Sequence, residues 1–128
     1  AITGILTAST TCGTRFLVAK ECQIPKSYKQ RVIKASDIDA VVTGRSTGHP
    51  VRSLRNQLTR AFDKLEKAGA NQEELNKLGV GALRRAAIEG DVNNGSVLAG
   101  QIAGMVKKEE TAKEIIEDIV GKAKELMH

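Results

Sequence analysis

The sequence predicts an α/β chain that is mainly helical and carries one or two short strands. Its clearest pattern is a run over 50–69 in which apolar residues recur at helical spacing, opened by Pro50 and closed by Gly69. A second helical pattern covers about 109–126, with acidic residues early and lysines late. The alternating run over 38–43 favours a strand or an extended connection. With 128 residues, the chain fits one domain.

Two further helices and a loop are expected in the first half of the chain. Residues 15–22 leave a turn at Gly13 and begin one helix. Pro25 fits the first turn of a second helix over 26–35. The glycines that bound residues 44–48 predict a loop after the alternating run.

A helical hairpin is expected over 50–90. Asn71 followed by Glu74 is typical of a capping box, and it starts a second helix that ends at Gly90, although glycines weaken its middle. The two helices are predicted to lie antiparallel and to pack through apolar side chains. These side chains are Leu54, Leu58, Phe62, Leu65, Leu75, Leu78 and Leu83.

The stretch after the hairpin combines a turn with a glycine-containing helix. Residues 91–95 have turn chemistry, and Ser96 can cap a helix over 97–106. Gly100 and Gly104 each cost this helix about 1 kcal/mol relative to Ala. Their presence predicts the close approach of another backbone or of a flat ligand.

Composition narrows the classes of function. The net charge of +5 favours acidic partners. Only 2% of the residues are aromatic, so base stacking on single-stranded nucleic acid is not expected. Cys12 and Cys22 have no C-x-x-C spacing and predict neither a disulfide framework nor a metal site. No signal peptide and no apolar run approaching about 18 residues is present, so we expect a soluble, cytoplasmic protein without membrane contact.

Gly13 and Thr14 form a candidate anion-binding corner. Gly13 can adopt backbone angles closed to other residues, and it lets a ligand oxygen approach the main chain. Thr14 offers an N–H and a hydroxyl donor, and a helix beginning nearby adds unpaired N–H groups and a positive dipole end. An ordinary turn is the commoner origin of a Gly-Thr pair.

A longer set of segments resembles one enzyme family. The segments are 12–22 (CGTRFLVAKEC), 48–52 (GHPVR), 56–58 (NQL), 90–92 (GDV) and 95–104 (GSVLAGQIAG). In this order they are similar to the C-terminal part of the flavin-dependent nitronate monooxygenase and enoyl-acyl-carrier-protein reductase II family, and the reductase branch is the closer one.

The resemblance implies the C-terminal part of a TIM-type (β/α)8 barrel, because a complete barrel needs about 200 residues or more. Residues 1–24 would then contain the last barrel strand and the phosphate corner. Residues 25–90 would form a helical excursion, and residues 91–128 the closing helices. The strand is expected just before Gly13, although the run over 5–12 carries many hydroxyl groups.

The resemblance also implies FMN as cofactor and NAD(P)H as reductant. Gly13 and Thr14 would hold the FMN phosphate, as the loops after strands 7 and 8 often do in TIM barrels. Ser96, Gly100 and Gln101 would lie around the flavin. The implied substrate is an enoyl thioester on acyl carrier protein in fatty acid synthesis, and a homodimer is a further hypothesis.

Two features of the family are missing from this sequence, namely its glycine-glycine-histidine segment and its second phosphate loop. No catalytic residue is therefore assigned, and the isolated chain is expected to be inactive. His49, in a loop, is expected to be a hydrogen-bonding surface group. Two alternatives stay open: nitronate oxidation by a protein of the same family, and a basic helical interaction module without catalysis.

Overall fold

A computed structural model describes residues 12–127 of the chain. The helices and strands, in order, are α1 Cys12–Leu17, α2 Lys26–Ile33, β1 Ala40–Thr43, β2 Val51–Leu54, α3 Gln57–Lys67, α4 Gln72–Gly79, α5 Ala82–Ala87 and α6 Ala112–Leu126. Two 3-10 helices, Arg45–Thr47 and Gln101–Met105, lie between them. The expectation of a mainly helical chain with one or two short strands is confirmed for this part of the chain. The strand predicted over 5–12 lies outside the described residues, except that Cys12 begins α1.

The two strands form an antiparallel hairpin that a third extended segment joins. Thr43 of β1 lies opposite Val51 of β2. On the other edge of β2, Ser53 pairs with Leu98 in an isolated bridge, and the Leu54 N–H donates to the Val97 carbonyl at 2.9 Å. Successive side chains of a strand point to opposite faces, so this small sheet has two distinct faces.

One face of the sheet builds the hydrophobic core against α2. Leu54 and Val97 are fully buried, and Ala99 lies beside them. Tyr28, at 2% exposure, packs from α2 onto this face, and its hydroxyl donates to the Leu98 carbonyl at 2.7 Å. The buried cluster consists of Val18, Tyr28, Val32, Ala35, Leu54, Ala86, Val97, Ala99, Ala103 and Val106.

The helix predicted over 50–69 is wrong in its first third. Val51–Leu54 is strand β2, because its backbone pairs with β1, and α3 begins only after Asn56. The Asn56 side chain accepts from the Thr59 N–H, and the Thr59 side chain bonds back to the Asn56 N–H, which completes a capping box. The predicted end is confirmed, since Gly69 follows the last turn with φ of 75°.

The second helix of the hairpin is two helices rather than one. The Asn71–Glu74 capping box is confirmed at the start of α4. The chain then leaves α4 at Val80, turns through Gly81 and continues as α5. The packing of α3 against α4 is present, but two residues assigned to it lie elsewhere: Leu54 is in the core, and Leu83 is 49% exposed.

The helix predicted over 97–106 is also wrong. Residues 97–99 are extended beside β2, and only a 3-10 helix follows at Gln101–Met105. Ser96 therefore caps no helix there, and its N–H donates to the Ala82 carbonyl at 2.8 Å. The expected close approach is confirmed at Gly104, where a Cβ would collide with the backbone of Asp37.

The outer helices agree better with the prediction. The helix expected over 26–35 is α2, and the last helix is α6, which begins after a Thr111 cap. Arg15 of α1 bonds Glu110 and Asp118, each at 2.8 Å, and so joins the first and last described helices. These contacts hold the pKa values of both carboxyl groups below their usual range.

Candidate functional site

The predicted anion corner contains a direct contact between two distant predicted residues. Thr14 is 7% exposed, and its hydroxyl oxygen accepts a hydrogen bond from the Gly100 N–H at 2.8 Å. A Cβ at Gly100 would lie 3.1 Å from that oxygen, so a larger residue would crowd the contact. The structure therefore brings Thr14 and Gly100 together across 86 positions of sequence.

Gly13 contributes access rather than an unusual backbone angle. The turn predicted at this position is wrong, because Gly13 lies inside α1, and its φ is not in the left-handed region. It is exposed, and outside its own helix no atom of residues 12–127 lies within 4 Å of the place that a Cβ would occupy. The described residues leave the space beside Gly13 open, and the phosphate role of the corner stays a prediction.

The other two predicted cofactor residues lie at opposite ends of one segment. Gln101 follows Gly100, is exposed and begins the 3-10 helix. Ser96 lies at the far end and lines a cavity instead of the corner. Gly100 lies four positions after Ser96, which corresponds to at most about 14 Å of extended chain.

The segment over 96–101 is fixed by backbone contacts along its length. Besides the Val97 and Gly100 bonds, the Leu98 carbonyl accepts from the buried Tyr28 hydroxyl. Burial raises the pKa of the Tyr28 phenol to about 12, so this group stays a neutral donor at physiological pH. The segment thus connects the corner and the cavity rigidly.

The cavity has a volume of about 510 Å³ and lies on the second face of the small sheet. It is bounded by the β1–β2 hairpin, by α3 to α5 and by residues 96–98. Its apolar side chains include Val51, Leu58, Phe62, Leu75, Val80, Leu83 and Leu98. Its polar side chains are Thr43, Thr47, His49, Ser53, Thr59, Asn76 and Ser96. The sequence analysis missed the β2 wall, because it assigned those residues to a helix.

Asn56 is a second residue whose role the sequence analysis missed. Its side-chain amide donates to the Val92 carbonyl at 2.9 Å and to the Gly95 carbonyl at 2.7 Å, while its oxygen caps α3. It therefore ties the start of α3 to the turn that precedes Ser96. The sequence signal that could have identified this helix cap is an Asn three residues before a Thr, at the start of the amphipathic run.

Within residues 12–127 there is neither a cluster of metal-ligating side chains nor a helix that could cross a membrane. Among them no group of three or more His, Cys, Asp or Glu side chains is arranged to hold a metal ion. No helix within the same range has the length and apolar character needed to cross a membrane.

Comparison with known proteins supports the resemblance. The family model for nitronate monooxygenase matches residues 6–122. The structure of FabK from Thermotoga maritima superposes with a TM-score of 0.83 at 41% sequence identity, covering 90% of this chain and 36% of that one. A probable nitronate monooxygenase of Staphylococcus saprophyticus is 27% identical over 116 residues, which are 91% of this chain and 32% of that protein.

A further relative acts on a thioester, according to its name. It is a (3aS,4S,5R,7aS)-5-hydroxy-7a-methyl-1-oxo-octahydro-1H-indene-4-carboxyl-CoA dehydrogenase of Mycobacterium tuberculosis, 25% identical over 150 residues, which cover 88% of this chain and 42% of that protein. The chain thus spans between 32% and 42% of the length of these relatives. Because the family model covers most of its residues, the chain belongs to the nitronate monooxygenase family, whose members are flavin-dependent oxidoreductases.

Proposed function

We propose that this chain is the last part of a TIM barrel in an FMN-dependent, NAD(P)H-using reductase of enoyl thioesters. The observation that carries the proposal is the contact of Thr14 with Gly100, which lies two residues beyond a large apolar cavity. The likeness to FabK, an enoyl-acyl-carrier-protein reductase II, and to a carboxyl-CoA dehydrogenase supports thioester chemistry.

The residues of the corner fit FMN as follows. Gly13 and Thr14 hold the phosphate through backbone N–H groups in the first turn of α1, and Gly100 keeps the Thr14 side chain in place. Gln101 and Ser96 lie on the segment that leads away from the phosphate and border the flavin. When bound, FMN supplies hydride transfer to the double bond of the substrate. Additional phosphate donors come from the loop after the seventh barrel strand.

An acidic carrier protein is the proposed source of the substrate. The net charge of +5 favours such a partner, and α3 carries Arg60, Lys64 and Lys67 at exposed positions. Carrier-protein thioesters belong to fatty acid synthesis, so we place the protein in the cytoplasm. Self-association into a homodimer is part of the same proposal.

Nitronate oxidation is the second candidate function. It is favoured by the family model and by the staphylococcal relative, whose names both specify nitronate monooxygenase. It uses the same flavin, so the corner serves it equally well. A non-catalytic module would bind no flavin, which an absorbance spectrum of the purified protein detects.

The cofactor assignment is tested by replacing Gly13 with Val in a chimera. In this chimera, residues 12–127 replace the matching part of Thermotoga FabK, which supplies the remaining barrel. Gly121→Val is the matched control, because Gly121 also lies in a helix and also has no atom within 4 Å of a Cβ. We expect Gly13→Val to weaken FMN binding at least tenfold, measured by flavin fluorescence, and Gly121→Val to leave it unchanged. Equal FMN affinity in both folded variants would make the corner an ordinary helix start.

The reaction is tested separately on the protein that carries this sequence. Oxidation of NADH or NADPH is followed with trans-2-octenoyl-N-acetylcysteamine, and oxygen consumption is followed with an alkyl nitronate. We expect thioester-dependent oxidation of the reduced nucleotide in the protein with a complete barrel and none in the isolated 128-residue chain. Turnover of the nitronate alone would select the second candidate.

A further inference from the structure

We propose that the cavity between the small sheet and helices α3 to α5 binds the hydrocarbon chain of an acyl thioester, and that Phe62 limits the length of that chain. The proposal rests on the proposed function for the reaction, but the binding site itself is argued from the cavity. Neither the corner residues nor the family match assigns a ligand to this space.

The second face of the sheet has the composition of a ligand wall. Thr43 lies opposite Val51, and Ser53 lies opposite Leu98, so these four side chains share one face, and all four line the cavity. Ser96 has the same orientation, since it precedes Leu98 by two residues. The short side chains of Thr43, Ser53 and Ser96 leave space on this face.

The chemistry of the lining selects an apolar occupant. Among the described residues no Asp, Glu, Lys or Arg side chain lines the cavity, and most of the surface that its lining exposes is apolar. Its volume of about 510 Å³ lies within the usual range of about 300–1,000 Å³ for small-molecule sites. A hydrocarbon chain therefore fits this space, whereas a charged ligand would lose its hydration without a partner.

The mouth of the cavity is apolar as well. Val51, Val80 and Leu83 line it, yet they are 42%, 72% and 49% exposed. A cluster of exposed apolar side chains beside a concave space is typical of a binding groove. The rim therefore gives a hydrocarbon chain a continuous apolar path from the surface into the cavity.

Phe62 is placed to limit the length of the ligand. Its ring extends from α3 to α4, where the ring tip lies 3.4 Å from the position of a Cβ at Gly79. The partly buried ring thus occupies the space between these two helices beside Gly79. A shorter side chain at this position would extend the cavity along the α3–α4 contact.

The cavity is also connected to the cofactor corner. Leu98 lines the cavity, and two residues later the Gly100 N–H bonds Thr14. A hydrocarbon chain in the cavity therefore holds its thioester end near the segment that borders the proposed flavin. This continuity assigns the cavity to the substrate rather than to an unrelated ligand.

The test measures binding of saturated thioesters, which have no double bond for the proposed reaction to reduce. Butanoyl-, octanoyl- and dodecanoyl-N-acetylcysteamine are titrated calorimetrically into the 128-residue chain. We expect the octanoyl compound to bind at least tenfold more tightly than the butanoyl compound, because four more methylenes leave water. The dodecanoyl compound should gain nothing further in the wild type, but it should gain at least threefold in Phe62→Leu.

A matched pair of surface variants controls for nonspecific hydrophobic binding. Leu83→Gln alters the rim, and Ile116→Gln alters α6 outside the cavity, although the two residues are similarly exposed at 49% and 52%. We expect octanoyl binding to weaken at least fivefold in Leu83→Gln and to be unchanged in Ile116→Gln. Because both side chains are exposed, neither substitution should disturb the core or prevent folding.

The proposal is overturned if the three thioesters bind equally, if none binds, or if both surface variants weaken binding alike. It is also overturned if a folded Phe62→Leu keeps the wild-type length preference. Failure of FMN binding or of turnover would reject the proposed function and leave this binding result intact. Thioester reduction without dependence on chain length would support the proposed function and reject the binding of the hydrocarbon chain in this cavity.

Discussion

The two faces of the small sheet differ sharply, although alternate residues of the same strands build them. On the core face, Leu54 and Val97 are 0% exposed and Ala99 is 8% exposed. On the cavity face, Val51 is 42% exposed, whereas Ser53 is 3% exposed and lines the cavity with a short hydroxyl side chain. One strand pair here thus presents a packed core face and a cavity-lining face, and the proposed binding is assigned to the second.

The largest expected effect comes from cutting a side chain on the core face. Leu54→Ala should lower the free energy of unfolding by about 2–5 kcal/mol, because it leaves a cavity in a packed environment. Val51→Ala, its matched control on the other face, should cost less than about 1 kcal/mol, since the side chain is already half exposed. Urea unfolding followed by circular dichroism measures both. Similar losses in the two variants would show that the faces do not divide these roles.

The next effect concerns Asn56, which ties the start of α3 to the turn before Ser96. Asn56→Ala should cost about 3 kcal/mol, because it removes an N-cap and leaves the Val92 and Gly95 carbonyls without this donor. Asn71→Ala is the matched control, since Asn71 caps α4 in the same way but at an exposed position. It should cost about 1 kcal/mol.

The excess loss in Asn56→Ala measures the tie to the 92–95 turn. Equal losses for the two caps, in the same urea titration, would reduce Asn56 to an ordinary helix cap. The cavity would then need another support for its Ser96 wall.

The smallest of the three effects depends on pH. Tyr28→Phe should cost about 1–2 kcal/mol at neutral pH, since it leaves the Leu98 carbonyl without its donor. Burial raises the pKa of Tyr28 to about 12 from 10.0, so folding favours the neutral phenol. Its contribution to stability is therefore complete below pH 10 and is lost as the pH rises toward 12.

Thermal unfolding of both proteins between pH 8 and pH 12 tests this sign. The wild type should lose stability more steeply than Tyr28→Phe above pH 10. Parallel curves would contradict the coupling of Tyr28 ionisation to the core face.

Local signals in the sequence predicted the elements whose ends are marked by single residues. The Asn71–Glu74 capping box, the Gly69 helix end and the last helix are all found, because caps and dipoles act within one turn. The same local signals gave a wrong prediction for residues 50–56. Val51 and Leu54 have the spacing of a helix face, but pairing with β1 gives the backbone a different set of hydrogen bonds.

The candidate site divides in the same way. The family resemblance selected Gly13, Thr14, Gly100, Gln101 and Ser96, and the structure places Thr14 against Gly100. The cavity had no counterpart in the sequence analysis, since its wall comes from elements far apart in the chain. The order of residues alone does not show that Val51 and Leu98 lie on one surface.

The sequence by itself determined the family, the helical character of the chain and the close backbone approach at Gly104. These features depend on residue identity and on contacts within a few positions. Only the tertiary structure decided that 51–54 and 97–99 are extended, that Asn56 reaches two distant carbonyls, and that the second face of the sheet encloses a cavity. The physical reason is that strand pairing and burial are settled between distant segments, whose gain in hydrogen bonding and packing exceeds the local preference for helix.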